Sequence, residues 1–224
     1  MDFTNVVALV TGANRGLGRE FTRQLLERGA RVYAAARRPE TIDAPGAVPL
    51  RLDVTDASSI AAAAAAAPDV TLLVNNAGIL TNAPLISGDF DDVYQEMETN
   101  YFGTLRVTRA FAPVLESNGG GSILNVLSVL SWFHPAQMGA YSASKAAGWA
   151  LSNAAREELA SRNISVTSLH VGYMDTAMAA TVTDPKNDPA TVATTALDGL
   201  ARGATEVLAD DITRQVKANL STAG

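Results

Sequence analysis

A phenol and an ammonium stand four residues apart at Tyr141 and Lys145, a spacing that puts both on one face if the segment is helical. Ser128 lies a short way upstream. A carbonyl carbon accepts hydride readily only when its oxygen is protonated or strongly hydrogen-bonded as charge develops. Tyr141 can donate that proton, although a free phenol has a pKa of about 10, and the charge of Lys145 one turn away favours phenolate. The hydroxyl of Ser128 can orient the oxygen and stabilise the developing alkoxide. The same groups run backwards, the tyrosinate then taking the proton of an alcohol.

Such a set needs a hydride carrier, and the start of the chain offers a place for one. The apolar run Val6–Val10 leads into Thr11-Gly-Ala-Asn-Arg-Gly-Leu-Gly18. Glycines at 12, 16 and 18 let the backbone turn tightly and let a pyrophosphate reach exposed amides at a helix N-terminus. The spacing departs from Gly-x-Gly-x-x-Gly, so that fingerprint is not matched as written. The next strand, Arg31–Ala36, ends in Arg37 and Arg38 with no acid. A free adenosine ribose favours an acidic side chain there, whereas guanidinium groups, with Arg15 in the glycine turn, suit a 2′-phosphate. NADP(H) is therefore expected over NAD(H), and Asp53 is placed to accept from the adenine amino group.

The elements that position these residues follow from periodicity. Strands are expected at Val6–Thr11, Arg31–Ala36, Val48–Asp53, Val70–Val74, Ser122–Val126, Ser165–Leu169 and Glu206–Ala209. Helices are expected at Arg15–Glu27, Ser58–Ala67, Phe90–Leu115 and Tyr141–Ser161, with another from about Thr191. Alternating strands and helices predict parallel βαβ crossovers, and continuously apolar strands predict a sheet covered on both faces. The expected fold is a single Rossmann-like, doubly wound α/β domain over residues 1–224, with a central parallel sheet of about seven strands. The alanine-rich segment 58–67 makes a good helix that buries little.

Composition narrows the alternatives. The 224 residues are 47% hydrophobic and 18% charged, contain no Cys and carry a formal net charge of -6. Disulfides and thiolate chemistry are thereby excluded, and a nucleic-acid surface is disfavoured. No metal site is expected, since His134 and His170 are isolated and a catalytic zinc needs more converging donors. Val6–Val10 is too short for a membrane span and lacks a signal-peptide charge pattern, so a cytoplasmic protein is expected.

From about Val6 to Thr176 the chain resembles the classical short-chain dehydrogenase/reductase family. The resemblance rests on Thr11-Gly12-x-x-x-Gly16-x-Gly18, on Asn75-Asn76-Ala77-Gly78 after the fourth strand, on Asn100 in Asn100-Tyr-Phe-Gly103, and on Ser128, Tyr141 and Lys145. It implies a catalytic tetrad of Asn100, Ser128, Tyr141 and Lys145. In that family the asparagine disturbs its helix and holds a water linking the lysine to solvent. Around the nucleotide the resemblance implies contacts from Gly12, Asn14, Arg15, Gly16, Leu17 and Gly18 in the turn. Arg37 and Arg38 fall beside the 2′-phosphate, with Ala36 in the position that is acidic in NAD-preferring members. Asp53 and Val54 fall on the adenine side; Asn75, Ala77 and Gly78 follow the fourth strand; Tyr141 and Lys145 reach the ribose. After the sixth strand come Gly172, Met174 and Thr176, but Val171 replaces the family's usual proline. Valine does not lock φ, so a looser wall is expected there.

The substrate end is read from Trp132, Phe133, His134, Met138 and Tyr173, an apolar, aromatic mouth suited to a hydrophobic ketone or aldehyde. The alternative for Trp132 and Phe133 is packing against a neighbouring loop or subunit. His170 reads as structural. The connection from Thr176 to the next helix is short, implying a small lid and an open pocket. The resemblance also implies a homodimer or homotetramer paired through the helices around 90–115 and 141–161, with Asp211–Leu220 a possible subunit contact. The leading reading is an NADPH-dependent carbonyl reductase. An NADP-linked alcohol dehydrogenase acting on a cyclic or secondary alcohol stays open, because the same groups serve both directions. A dehalogenase on the same fold, or a nucleotide-sensing or scaffold protein, fits the intact glycines and tetrad less well.

Overall fold

Each central strand is apolar on both sides, and successive residues are divided between two cores. In the computed structural model, which describes residues 1–220, Ala8 and Val10 of β1 (Val7–Thr11) enter one core and Leu9 enters the other. Leu72 and Val74 of β4 (Leu72–Asn75) are split from Leu73 in the same way. This is the period of two expected for a sheet covered on both faces. The remaining strands are β2 (Arg31–Ala36), β3 (Val48–Arg51), β5 (Gly121–Val126), β6 (Ile164–His170) and β7 (Glu206–Leu208). All seven pair in parallel in the order β3-β2-β1-β4-β5-β6-β7. Residues 221–224 of the domain read from the sequence lie outside the described residues.

On one face, α1 (Gly16–Glu27) presents Leu17, Phe21 and Leu25, one per helical turn, and packs beside α6 (Pro189–Ala201). On the other face lie α2 (Ala57–Ala66), α4 (Thr104–Ser117) and α5 (Gly139–Leu159). There α4 buries Val107, Phe111 and Leu115, while α2 buries only Ile60 and Ala63. The segment expected as one helix over 90–115 has three parts: α3 (Phe90–Glu96), a π-helical stretch Met97–Gly103, and α4. The wider turns centre on Asn100, and single π turns inside α-helices recur at functional sites. Helices α2, α3, α6 and the C-terminal α7 (Asp211–Asn219) each begin on an aspartate whose carboxylate accepts first-turn N–H groups. Helix α1 does not, since its N-cap Arg15 makes no side-chain cap. Among the described residues no helix is long and apolar enough to cross a membrane.

The order in which strands are added reverses between β1 and β4. Strands β2 and β3 are added on one side and β5 to β7 on the other, so the loops at the carboxyl ends of β1 and β4 diverge and open a crevice, the usual ligand position in such sheets. Close packing keeps it in shape: a Cβ on Gly18 would lie 2.2 Å from the Gly12 carbonyl oxygen and 2.5 Å from Asn76 Nδ2.

Helix α7 packs on its own chain through Lys217. Lys217 lies 4.5 Å from the Trp132 ring centroid and 5.0 Å from that of Trp149, and it pairs with Glu206 at 3.0 Å. Trp132 stacks on His170, centroids 3.9 Å apart and planes 20° apart. His170 is fully buried, with Nδ1 3.1 Å from the Ser128 carbonyl oxygen and Nε2 3.5 Å from Glu206.

Two measurements probe this framework. Gly18→Ala is expected to destabilise the chain by roughly 1–3 kcal/mol through overpacking, read from the urea midpoint; an unchanged midpoint would mean that the turn yields freely. Burial holds the His170 imidazole down to about 4, against opposing effects of the Ser128 carbonyl and Glu206. Between the unfolded value of 6.5 and that lower one, only the unfolded chain takes up the proton. Stability is therefore present above pH 6.5 and lost as pH falls toward 4. From pH 7 to pH 5 the wild type is expected to lose about 2 kcal/mol more than His170→Phe, which keeps a ring on Trp132. Parallel pH curves for the two proteins would contradict this.

Candidate active site

The crevice is built from the end of β1 outward. Thr11 at the end of that strand is buried, and its hydroxyl donates to the Val74 carbonyl (3.2 Å) while accepting from the amides of Asn76 (2.9 Å) and Ala77 (3.0 Å). Asn76 returns the contact, its Nδ2 donating to the carbonyls of Thr11 (2.8 Å) and Gly12 (3.2 Å). The glycine turn is thereby tied to the end of β4. Gly12 and Gly16 take left-handed φ of +65° and +53°, conformations that side chains disfavour. A Cβ on Gly16 would come within 3.2 Å of Thr176 Cγ2, so residues after β6 close over the turn opposite the uncapped start of α1.

The expected nucleotide residues fall into two groups. Arg15, Arg37 and Arg38 are exposed, the last two directly after β2. Asn14 donates from Nδ2 to Thr41 Oγ1 at 3.1 Å. Asp53 has one carboxylate oxygen engaged by the Thr55 amide and hydroxyl, and Val54 beside it is buried. Leu17 and Asn75, by contrast, point their chemistry inward. Leu17 belongs to the core, and Asn75 Nδ2 donates to Thr108 Oγ1 (3.1 Å) and Asn125 Oδ1 (2.9 Å). Gly78 approaches Asn100: a Cβ on it would lie 3.1 Å from Asn100 Oδ1.

Helix α5 packs against both the turn that Ser128 opens and the π-helical stretch carrying Asn100, which gathers the four expected catalytic residues. Asn100 holds both backbone groups of Ile79, accepting from its amide (2.9 Å) and donating to its carbonyl (3.0 Å). Its Nδ2 also donates to Ser144 Oγ (3.0 Å), which in turn donates to the Tyr141 carbonyl (2.8 Å). Lys145 is buried, donates to the Val126 carbonyl (3.0 Å) and has its Nζ 5.4 Å from the Tyr141 ring centroid. Ser128 Oγ accepts from the Leu130 amide (3.1 Å), which leaves its own hydrogen available to donate.

Burial dominates the electrostatics. It pushes the Tyr141 phenol well above its usual value, with Glu96 adding to the rise. It pulls Lys145 down to about 8, while Glu96 opposes the fall. The polypeptide alone therefore favours the protonated phenol at Tyr141. Glu96 was not singled out by sequence. It is fully buried one helical turn before Asn100, and its Oε1 accepts from both the amide and the hydroxyl of Thr81, while Oε2 has no hydrogen-bond partner among the described residues. Burial raises its carboxyl, against the Thr81 bonds. An acid at i−4 from a helical asparagine was the signal available, and it is a common spacing on exposed helices.

Of the residues expected at the substrate mouth, Phe133 and His134 are exposed and Met138 is half-buried. Tyr173 Oη donates to Met138 Sδ at 3.8 Å, joining the two loops. Trp132 is 8% exposed and committed to His170 and Trp149, the packing alternative weighed for it.

Comparison with known proteins agrees with this geometry. Residues 6–187 match the family model for short chain dehydrogenases. An NADPH-dependent 1-acyldihydroxyacetone phosphate reductase of Schizosaccharomyces pombe is 37% identical over 177 residues, covering 75% of this chain and 60% of that protein. A 3-oxoacyl-(acyl-carrier-protein) reductase of Salmonella typhimurium is 32% identical over 195 residues, covering 82% and 80% respectively. The chain spans 57% and 60% of the length of the first two curated relatives. A short chain dehydrogenase from Burkholderia cenocepacia, solved in complex with NADP, superposes with a TM-score of 0.96 at 41% identity, covering 100% of this chain and 95% of that one. The likeness thus runs from motif spacing through strand order to the length of a solved relative, and the chain belongs to the short-chain dehydrogenase/reductase family of oxidoreductases.

Proposed function

We propose that this chain is an NADP(H)-dependent carbonyl reductase acting reversibly on hydrophobic ketones or aldehydes. The observation that carries the reading is the gathering of Ser128, Tyr141, Lys145 and Asn100 around α5 beside a glycine turn whose helix lacks a side-chain cap. The residues fit the nucleotide. The left-handed glycines, the uncapped first turn of α1 and Thr176 facing Gly16 form a cradle for a pyrophosphate. Arg37 and Arg38 stand exposed where a 2′-phosphate would emerge, behind the buried Ala36. The solved 41% identical relative is itself an NADP complex, and two of the curated relatives are reductases.

When bound, NADPH supplies the hydride. The chain supplies the rest. Tyr141, kept protonated by burial, donates from Oη to the carbonyl oxygen, and Ser128 Oγ donates a hydrogen bond to the same atom. Lys145 spends one of its three N–H groups on Val126, which leaves the others to hold the ribose when the nucleotide is bound. Phe133, 55% exposed, and the Met138–Tyr173 pair form an apolar rim, which favours a substrate with a hydrophobic body.

Consumption of NADPH, followed by nicotinamide absorbance against aryl ketones, cyclic diketones and aldehydes, tests the reading. Tyr141→Phe is expected to lower kcat by about 10²-fold or more. Arg37→Asp is expected to weaken NADPH by roughly 10–100-fold relative to NADH through loss of a charge-assisted pair. Turnover that survives Tyr141→Phe, or wild-type indifference between NADPH and NADH, would defeat the corresponding half of the proposal. NADPH binding without turnover in either direction would leave a sensor or scaffold.

A further inference from the structure

The segment after β6 lacks the expected proline, yet it is held firmly by other means. The Val171 carbonyl accepts from the Val129 amide at 3.0 Å, which fixes it to the Ser128 turn. The next amide, of Gly172, donates to Asp210 Oδ2 at 2.7 Å. The same oxygen accepts from Asn187 Nδ2 at 2.7 Å. Asn187 donates from Nδ2 and from its backbone amide to the Tyr173 carbonyl, at 2.9 and 2.8 Å, and its own carbonyl accepts from the Asp175 amide at 2.9 Å. The connection between β6 and α6 is thus folded back on itself, with Asn187 near its end pinned beside Tyr173–Asp175 near its start.

Asp210 is the N-cap of α7, and its other oxygen accepts from the Thr213 amide at 2.8 Å. Among the described residues no Lys or Arg pairs with it. One oxygen therefore starts the C-terminal helix and the other holds the loop whose far end, Thr176, faces Gly16 of the glycine turn. Hydrogen bonds to an ionised acceptor are about twice as strong as neutral ones. Glycine at 172 eases the approach, since a Cβ would sit 3.0 Å from Ile212 Cγ2 and 3.2 Å from Asp210 Oδ2.

We propose that Asp210 is a positioning residue for the nucleotide: through the Gly172 amide and Asn187 its carboxylate holds the 172–176 segment against the glycine turn, doing from the C-terminal helix what a rigid proline at position 171 would do within the loop. The inference rests on the NADP(H) reading above, since that cleft is where the segment points.

The test is the Kd for NADPH by equilibrium titration, with KM and kcat alongside, for wild type, Asp210→Ala, Asp210→Asn, Asn187→Ala and Thr213→Ala. Asp210→Ala is expected to raise Kd and KM for NADPH about tenfold with kcat at saturation changed less than threefold, in line with loss of a charge-assisted bond. Asp210→Asn, which keeps an acceptor for Gly172, is expected to recover most of the affinity. Asn187→Ala, which leaves Asp210 and its cap in place, is expected to weaken NADPH severalfold. Thr213→Ala, which removes the reciprocal half of the α7 cap, is expected to lower Tm while leaving Kd within about twofold. Wild-type affinity in both Asp210→Ala and Asn187→Ala would overturn the proposal. So would equal weakening by Thr213→Ala and Asp210→Ala, which would assign the effect to docking of α7 as a whole. A wild-type chain that binds neither NADPH nor NADH would overturn the functional reading as well, and it is distinguished by appearing before any variant is made.

Discussion

The turn between β1 and α1 has no room for a side chain at Gly18, where a Cβ would collide with the Gly12 carbonyl and the Asn76 amide. That contact brings the end of β1, the start of α1 and the end of β4 together at the point where strand order reverses. Thr11 and Asn76 lock it with five hydrogen bonds, each to a backbone group of the crevice floor. The crevice can then stay open at its mouth, because its floor is closed by polar bonds rather than by apolar side chains filling the gap.

A second constraint works from the helix side. The extended segment after β4 presents Ile79 and Thr81 two residues apart, while Glu96 and Asn100 stand four apart on the facing helix. The two periods match: Asn100 takes Ile79 and Glu96 takes Thr81. The same helix delivers Asn100 to Ser144, and so to the backbone of the turn that carries Tyr141. Burial moves both Tyr141 and Lys145 toward their neutral forms, and the one carboxyl that acts on both, Glu96, is itself buried. Tyr141 is thereby set as a proton donor before any ligand arrives.

The C-terminal portion does more than cap the sheet edge. Helix α7 covers Trp132 and His170 with Lys217, and His170 reaches the carbonyl of Ser128. Its N-cap holds Gly172. The connection 171–188 between β6 and α6 is ordered at its start because the polar groups of Gly172, Tyr173 and Asp175 are spent on Asp210 and Asn187. The looser wall expected from Val171 is therefore replaced by a bonded one.

Much of this architecture was legible in the residue order. The bounds of β2, the end of α1 at Glu27 and the parallel seven-stranded sheet follow from period and turn chemistry, which are local, and Ser128, Tyr141 and Lys145 stood out by their spacing. The tertiary structure decided what those patterns leave open. A run of helical residues from Phe90 onward does not disclose a π-helical stretch at Met97–Gly103, because the wider turns answer to partners on another segment. An asparagine after β4 looks the same whether it faces a ligand or, as Asn75 does, two neighbours in the core. Trp132 beside Phe133 looks like one aromatic patch, yet one ring is buried against His170 and the other is exposed. Glu96 and Asp210 carried no motif at all. Their roles come from where distant backbone amides happen to lie, and a carboxylate's choice of donor is fixed by packing in three dimensions rather than by its neighbours along the chain.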